Sequence, residues 1–272
     1  MENEIINLLK EYTKHNHIYL AERGNKAILT ALKIVREKHP NSKILIPDQG
    51  GWLTYFQYAE KLKLDIVKLK TDYGVVDLDF FRENIKGASA VIYSNPAAYY
   101  AEQNVKEIYE ICRENNVLVI LDVSGCIGSD YYGGNCADMI VCSFGKWKPV
   151  NLGYGGFISV NNHNLFDKNK ELLRSLEFNE ESYSKLYEKL INLNKRYKFF
   201  NEVNKKIKDD LKQFNILHRA KRGINVIVKF SDEKEKNEIL NYCEKNKYEL
   251  VECPKMIKVN EDAISIEVKR LE

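Results

Sequence analysis

Two segments of the chain combine charged side chains with glycines in a way that indicates chemistry rather than packing. The first is VLVILD at 117–122, an apolar run that ends in Asp122. The second is SFGKWKPVNLGYGG at 143–156, which starts with Ser143 and has Lys148 in its first half. An acid at one strand end and a lysine shortly after the next strand fit poorly into a core, because buried charges must be paired or functional. Taken singly, Asp122 could also cap a turn and Lys148 could be a solvated loop lysine.

The elements around these residues favour the functional interpretation. Helical and strand-like runs alternate through the first 160 residues, and the strand-like runs are apolar on both faces. This order predicts an α/β fold with a mostly parallel sheet covered by helices on both faces. Ligands bind to such open sheets at the carboxyl ends of the strands, where Asp122 and Ser143 fall. We expect helices at 26–38, 52–63, 80–85 and 105–115, and strands at 43–47, 64–69, 90–94, 117–122, 139–144 and 156–160.

The pattern changes in the second half of the chain. Residues 164–215 are highly charged and helical in pattern, and 182–211 reads as one long amphipathic helix. Three strand-like runs and one helix follow, at 224–230, 248–253, 263–268 and 232–246. We therefore expect a large domain at 1–165, with an N-terminal helix, and a second region at 166–272. The second region would comprise the long connecting helix and a small α+β domain.

The segment at 143–156 resembles the DegT–StrS branch of sugar aminotransferases, which belong to the pyridoxal-phosphate (PLP) enzymes of fold type I. The pattern of that branch is Ser-Phe-x-x-x-Lys-x-x-x-x-Gly-x-Gly-Gly, and it is matched without a gap by Ser143, Phe144, Lys148, Gly153, Gly155 and Gly156. The resemblance covers about residues 20–212. It implies the aspartate-aminotransferase fold with a seven-stranded sheet, PLP as cofactor and a homodimer. It also implies amino-group transfer between an amino acid and a keto acceptor, such as a keto-sugar.

The resemblance gives the two charged residues catalytic roles. Lys148 would form a Schiff base with the PLP aldehyde and later move the proton between the substrate Cα and the cofactor. Asp122, 26 residues earlier, would keep the pyridine nitrogen protonated, which makes the ring an electron sink. Lys146 is the alternative nucleophile, since it is the fourth residue of Ser-Phe-Gly-Lys as in the amino-acid aminotransferases. The arginine that follows in that pattern is missing here.

The phosphate of PLP would bind where a helix begins. Gly24, Asn25 and Lys26 stand at that point, where backbone N–H groups bind anions and Asn25 could cap a helix that starts near Lys26. A Gly-Asn pair before a helix is also commonly a plain cap. Ser143 would add its hydroxyl to the phosphate, as the corresponding serine does in the family.

The pyridine ring would be held by two more residues. Trp52 stands where the family stacks an aromatic on the ring, although a tryptophan in a core is the commoner case. The sugar branch has a glutamine three residues after the aspartate, but this chain has Gly125 there. Asn95, before Pro96, could contact the PLP 3′-oxygen instead, as in amino-acid aminotransferases, or the pair could serve only as a turn. Tyr99 could line the substrate entrance, and so could its neighbour Tyr100.

Residues that would recognise the substrate are harder to assign. Amino-acid aminotransferases bind the substrate carboxylate with an arginine in the last strands. The run 263–268 has no arginine, while Arg219, Arg222 and Arg270 lie near its edges or before neighbouring strands. The family is normally longer, so we expect shortened N-terminal and C-terminal parts. The predicted substrates are therefore a small-molecule amine and a keto compound.

Composition excludes several other classes of function. The chain of 272 residues is 44% hydrophobic and 30% charged, as in ordinary globular proteins. Its 42 Lys and Arg against 39 Asp and Glu give a net charge of +3, which indicates neither a nucleic-acid nor a membrane partner. The acidic amphipathic N-terminus is not typical of a signal peptide. Six cysteines without a CxxC pair, and five histidines without zinc-like spacing, predict a cytoplasmic protein with reduced thiols and no metal site.

Two other functions stay open. One is a different PLP reaction on the same fold, such as that of a lyase or a desulfurase. Its thiol would be Cys126 or Cys253, although neither lies in a recognisable nucleophile motif and buried cysteines are common. The other is a non-catalytic protein of this fold that binds cofactor or a partner without turnover.

Overall fold

The computed structural model describes residues 1–38, 43–132 and 135–272 of the protein, which form two main β-sheets covered by helices. The strands are β1 His17–Ala21, β2 Lys43–Pro47, β3 Asp65–Leu69, β4 Thr71–Asp72, β5 Val75–Val76, β6 Ala90–Ser94, β7 Leu118–Asp122, β8 Met139–Ser143, β9 Gly156–Val160, β10 Asn215–Ile216, β11 Val226–Lys229, β12 Leu250–Glu252 and β13 Ala263–Ile266. The α-helices are α1 Glu2–Thr13, α2 Gly24–Lys38, α3 Thr54–Lys61, α4 Leu78–Asn84, α5 Val105–Glu114, α6 His163–Lys168, α7 Lys170–Arg174, α8 Tyr183–Ile191, α9 Leu193–Asp210 and α10 Glu233–Lys245. Two short 3₁₀ helices lie at Glu180–Ser182 and Val268–Arg270.

The large sheet has seven strands in the order β1-β9-β8-β7-β6-β2-β3. The five strands β3, β2, β6, β7 and β8, in their order across the sheet, run parallel to one another. Strand β9 is antiparallel to both β8 and β1. The predicted α/β fold with a mostly parallel sheet is confirmed. The sequence pattern did not predict β1, because its polar residues His17 and Tyr19 interrupt the short apolar run.

Helices cover both faces of this sheet. Along β6, Val91 and Tyr93 belong to one hydrophobic cluster, whereas Ala90 and Ile92 belong to the other. All five residues of β7 are buried, so its sequence is a continuous apolar run rather than an alternating one. The register pairs Ser94 at the end of β6 with Asp122 at the end of β7. The polar residues that end these strands therefore meet at one edge of the sheet.

The second sheet is antiparallel, with the order β10-β11-β13-β12, and α10 packs against β13. The predicted long helix at 182–211 is two helices, α8 and α9, which meet at Asn192. The side-chain amide of Asn192 donates to the carbonyl of Glu188, at 2.8 Å. Asparagine competes with backbone hydrogen bonding in this way, which is why a helix ends at that residue.

The helices of the described residues include none that is long and apolar enough to cross a membrane.

Candidate functional site

A cavity of about 260 Å³ lies at the carboxyl ends of β7 and β8. Its walls come from both sheets. The large sheet and its loops contribute Gly24, Asn25, Trp52, Tyr55, Tyr99, Asp122, Ser143 and Lys148, and the C-terminal region contributes Val251, Ile257, Lys258, Glu267, Lys269 and Arg270. Most of the residues predicted from the sequence to act together therefore share one cavity.

Asp122 is the buried carboxylate of this cavity, with only 6% of its surface exposed. The hydroxyl of Tyr55, on α3, donates to its Oδ2 at 2.6 Å, and the amide of Ser124 donates to its Oδ1 at 2.9 Å. Burial and the neighbouring Asp122 raise the pKa of Tyr55 well above its usual value, so the phenol stays a hydrogen-bond donor. These two donors satisfy and orient the carboxylate. Tyr55 was not found from the sequence, because it precedes Asp122 by 67 residues and lies in an ordinary amphipathic helix.

Lys148 lies on the loop between β8 and β9. The loop is fixed by Trp147, which adopts a left-handed backbone with φ of 63° and donates its amide to the side chain of Asn151, at 2.8 Å. The ammonium of Lys148 lies 5.0 Å from the ring centre of Trp52 and 4.8 Å from that of Tyr99. Within the described chain it has no ion-pair partner or hydrogen-bond acceptor. The lysine thus enters the cavity between two aromatic rings.

Burial lowers the pKa of Lys148, while the charge of Asp122 opposes the shift and that of Lys258 adds to it. Lys146, the alternative nucleophile, also lines the cavity, but its side chain is exposed and its ammonium lies 4.5 Å from the ring centre of Trp147. Of the two lysines, Lys148 is the one enclosed near Asp122.

Helix α2 begins at Gly24, at the edge of the cavity. A Cβ on Gly24 would lie 2.5 Å from the Cβ of Ser143, so glycine is what lets the helix start approach the end of β8. Asn25 does not cap the helix as predicted. The helix starts two residues earlier than expected, and the side-chain Oδ1 of Asn25 instead accepts from the indole N–H of Trp52 at 2.8 Å. This bond fixes the ring of Trp52, which lines the cavity rather than filling the core.

Two residues predicted to contact the cofactor do not reach the cavity. Lys26 is exposed, 3.9 Å from Glu22, since it lies on the solvent side of the first turn of α2. Asn95 is completely buried behind the cavity wall, where its side chain accepts from the amide of Gln103 at 2.9 Å and donates to the carbonyl of Tyr131 at 3.1 Å. Both polar groups of Asn95 are therefore used to hold neighbouring loops.

Gly125 lines the cavity where the family carries a glutamine. A Cβ there would lie 2.9 Å from Pro96 and from the ring of Tyr99, so this backbone leaves no room for a side chain. Tyr99 takes the space instead and lines the cavity, as the sequence suggested. Tyr100 does not; it packs beside His218 and its hydroxyl donates to the carbonyl of Tyr73.

The candidate thiols lie outside the cavity. Cys126 is completely buried and donates to the carbonyl of Asn95 at 2.9 Å, and burial raises its pKa well above the usual value. Cys253 is also buried, with a pKa raised by burial. Neither has the thiolate character that a nucleophile needs.

The cavity residues of the C-terminal region, from Val251 to Arg270, form what we call the C-terminal wall. Apart from Arg270, these residues were not found from the sequence. The C-terminal wall carries a buried ion cluster in which the carboxylate of Glu267 contacts Lys258 at 2.5 Å and Lys269 at 3.1 Å. Arg270 stacks on Trp147, with its guanidinium 4.3 Å from the ring centre, while Arg222 pairs with Glu102 and Arg219 with Asp209. A signal was present, because a glutamate directly follows the apolar strand β13.

The profile of the DegT/DnrJ/EryC1/StrS aminotransferase family matches residues 2–201 of this chain. The chain belongs to that family. A second profile, described as the MJ1341 family C-terminal domain, matches residues 192–272. Most of this family member therefore matches the aminotransferase profile, and its C-terminal region matches a second family profile.

Solved structures agree with the fold of this family member. A 3-amino-5-hydroxybenzoic acid (AHBA) synthase has a TM-score of 0.78 and 12% identity, with 99% of this chain and 87% of that chain covered. Helicobacter pylori PseC, an aminotransferase involved in pseudoaminic acid biosynthesis, has a TM-score of 0.76 and 16% identity, with 97% and 84% covered. At these identities the likeness shows the shared fold.

A curated relative is the UDP-4-amino-4,6-dideoxy-N-acetyl-beta-L-altrosamine transaminase of Campylobacter jejuni subsp. jejuni serotype O:23/36 (strain 81-176). It is 32% identical over 119 residues, which are 43% of this chain. The matched part spans 27% of that relative's length.

Proposed function

We propose that the protein is a PLP-dependent aminotransferase that moves an amino group between an amine and a keto acceptor, with nucleotide-linked keto-sugars as the acceptor class. The observation that carries the proposal is that Asp122 and Lys148 share one cavity without forming an ion pair. Asp122 is oriented by Tyr55 and Ser124, and Lys148 lies beside two aromatic rings. Because the two charges do not neutralise each other, both stay available to a ligand. Family membership and the amino-sugar transaminase of Campylobacter jejuni support the same chemistry.

The residues of the cavity fit PLP. The first turn of α2, at Gly24 and Asn25, offers N–H groups of the kind that bind phosphate, and the Ser143 hydroxyl lies against that turn. The close contact of Gly24 with Ser143 makes a cradle that a Cβ would fill. Asp122 would hold a protonated ring nitrogen and Trp52 would stack on the ring. When bound, PLP supplies an electron-withdrawing ring that stabilises negative charge on a substrate carbon.

Lys148 would attach the cofactor and carry the proton. Its pKa is lowered by burial, which increases the fraction of neutral amine, the form that acts as a nucleophile or a base. Its ammonium lies beside the rings of Trp52 and Tyr99 in the cavity. Tyr55 and Ser124 hold Asp122 in its orientation.

The attachment site tests the proposal directly. The protein would be incubated with PLP, reduced with borohydride and digested, and the modified lysine identified by mass spectrometry. We expect the adduct on Lys148. The variant Lys146→Ala is the matched control, since it removes the neighbouring lysine and should leave the adduct in place.

Amino transfer is measured separately. The amino sugar named for the Campylobacter jejuni relative would be offered together with 2-oxoglutarate, and glutamate formation followed. Glutamate formation that is lost in Lys148→Ala would support the transaminase. An adduct on Lys146 would reassign the nucleophile, and the absence of any adduct would contradict PLP-dependent catalysis.

We further propose that the protein acts as a homodimer in the cytoplasm. Active sites of this fold lie between subunits in the family, which supports a dimer. All six cysteines are unpaired and five of them are buried, as is typical of a reducing compartment. Light scattering during size-exclusion chromatography would give the mass in solution, and a monomer at working concentration would contradict the dimer.

A further inference from the structure

The C-terminal wall of the cavity contains two buried lysines that share one carboxylate. Lys258 and Lys269 have only 4% and 6% of their surface exposed, and Glu267 has 2%. The Oε1 of Glu267 lies 2.5 Å from the ammonium of Lys258, and its Oε2 lies 3.1 Å from that of Lys269. Glu267 is itself held in place, because Ser265 and Asn225 donate to Oε1 at 2.7 and 3.2 Å.

The charges of this cluster do not balance. Lys258 and Lys269 against Glu267 leave an excess positive charge, and all three residues line the cavity. Arg270 also lies 3.8 Å from Glu267, but it is paired with a carboxylate of its own, Glu249 at 2.6 Å, so the excess remains. Burial lowers the pKa of Lys269 to about 8, opposed by Glu267 and assisted by Lys258 and Lys148. Burial would raise the pKa of Glu267, but the two lysines outweigh it and lower that pKa to about 2. Unbalanced buried charge is costly unless another group compensates it.

The excess charge lies close to Lys148. The ring of Tyr99 has three ammonium groups around it, with Lys148 at 4.8 Å, Lys269 at 4.9 Å and Lys258 at 5.8 Å from the ring centre. Asp122 is the other carboxylate that lines the cavity, and it is already bonded to Tyr55 and Ser124. An anion that enters beside Tyr99 would therefore contact Lys258 and Lys269. The hydrogen bonds of Asp122 to Tyr55 and Ser124 would stay in place.

We propose that Lys258 and Lys269 form an oxyanion-binding site, held in place by Glu267, that binds a carboxylate or phosphate group of the substrate. That the bound anion belongs to a substrate rests on the proposed aminotransferase function. The binding of an oxyanion at these lysines can be measured without it. The site defines the substrate class as anionic, and it positions the anionic group a short distance from the lysine that carries the chemistry.

The chain provides its own reporter for binding. Its two tryptophans, Trp52 and Trp147, both line the cavity, so intrinsic tryptophan fluorescence reports on this site alone. The PLP-saturated protein would be titrated with 2-oxoglutarate, which carries carboxylates, and with UDP, which carries a diphosphate. Neither probe has an aliphatic amine, so binding is observed without amino transfer.

The test variant is Lys269→Gln, which leaves the contact between Lys258 and Glu267 intact. We expect the dissociation constant of one probe to rise about tenfold or more, because a charge-assisted hydrogen bond is lost. A weaker 2-oxoglutarate complex identifies a carboxylate site and a weaker UDP complex a phosphate site. The charge-preserving Lys269→Arg should restore much of the affinity. The matched control is Lys255→Gln, an exposed lysine of the same loop as Lys258 that does not line the cavity.

A measurement on the unaltered protein covers the case in which Lys269→Gln does not fold. Binding of the same probe should weaken as the pH rises through about 8, since Lys269 then loses its proton while Glu267 stays charged. Lys148, Lys258 and Arg270 are the other basic groups near it, and the Lys269→Arg variant separates their contribution because its charge persists. Unchanged affinity for both probes in Lys269→Gln, or affinity that does not fall above pH 8, would overturn the oxyanion site.

The two proposals fail separately. The absence of any PLP adduct in the unaltered protein would contradict the aminotransferase, whatever the anion titrations give. An intact adduct together with probe affinities that ignore Lys269 would contradict the oxyanion site and leave the aminotransferase standing.

Discussion

The lysines on the two walls of the cavity have opposite kinds of neighbour. On the wall from the large sheet, Lys148 contacts two aromatic rings and has no ion-pair partner in the described chain, although Asp122 lines the same cavity. On the C-terminal wall, Lys258 and Lys269 are both ion-paired with Glu267. An unpaired lysine is free to react with a ligand, whereas a paired one is held in place and can bind an anion. The difference separates a wall suited to chemistry from a wall suited to recognition.

The strongest test of this comparison is Lys148→Ala. Without the amine, both the attachment of PLP and the proton transfer are lost, so we expect turnover to fall by on the order of 10³-fold or more. Steady-state rates of glutamate formation measure the change. Lys146→Ala should retain most of the activity. Equal losses in the two variants would show that turnover depends on the integrity of the loop rather than on the amine of Lys148.

The C-terminal wall predicts an acid-sensitive stability. The folded-state pKa of Glu267 is about 2 against an ordinary 4.5, so its contribution is fully present above pH 4.5 and is lost as the pH falls toward 2. That difference corresponds to about 3 kcal/mol of unfolding free energy. Urea unfolding of the protein and of Glu267→Gln across this range measures it. The two stabilities should differ most above pH 4.5 and converge toward pH 2; parallel curves would contradict the ion cluster.

Asp122→Asn tests the carboxylate on the wall suited to chemistry. The amide has nearly the same shape but no charge, so it cannot hold a protonated ring nitrogen. We expect turnover to fall by about 10²-fold, since a hydrogen bond to a charged group contributes roughly 1.5–3 kcal/mol. Affinity for 2-oxoglutarate and UDP should stay unchanged because the C-terminal wall is intact. A loss of probe binding as large as the loss of turnover would break the division between the walls.

Tyr55→Phe should give the smallest effect. It removes the 2.6 Å hydrogen bond to Asp122 but keeps the ring, so we expect turnover to fall about fivefold, for a loss of about 1 kcal/mol. The fall should appear in kcat rather than in KM, because this hydrogen bond orients Asp122 and does not itself contact the substrate. A change in KM alone, or no change in either constant, would contradict the positioning role of Tyr55.

Most strand bounds of the large sheet, those of β1 excepted, could be predicted from the sequence. The strands at 43–47, 90–94 and 156–160 were located to the residue, because buried strands carry apolar runs that turn residues interrupt. Helix ends were less accurate, as at Gly24, where the close contact with Ser143 rather than a capping side chain decides where α2 begins. The domain boundary near 165 stays a prediction.

By itself the sequence determined the alternation of elements, and with it the positions of Asp122 and Ser143 at strand ends and of Lys148 just beyond. These follow from local periodicity and from a motif of 14 residues. Only the tertiary structure decided which distant side chains meet them. Packing between segments far apart in the chain brings Tyr55, Lys258 and Lys269 to the cavity. Asn95 does not reach the cavity, because its side chain is hydrogen-bonded to neighbouring loops. Local patterns record burial and turns, whereas contacts across 67 or more residues depend on how the sheets and helices pack.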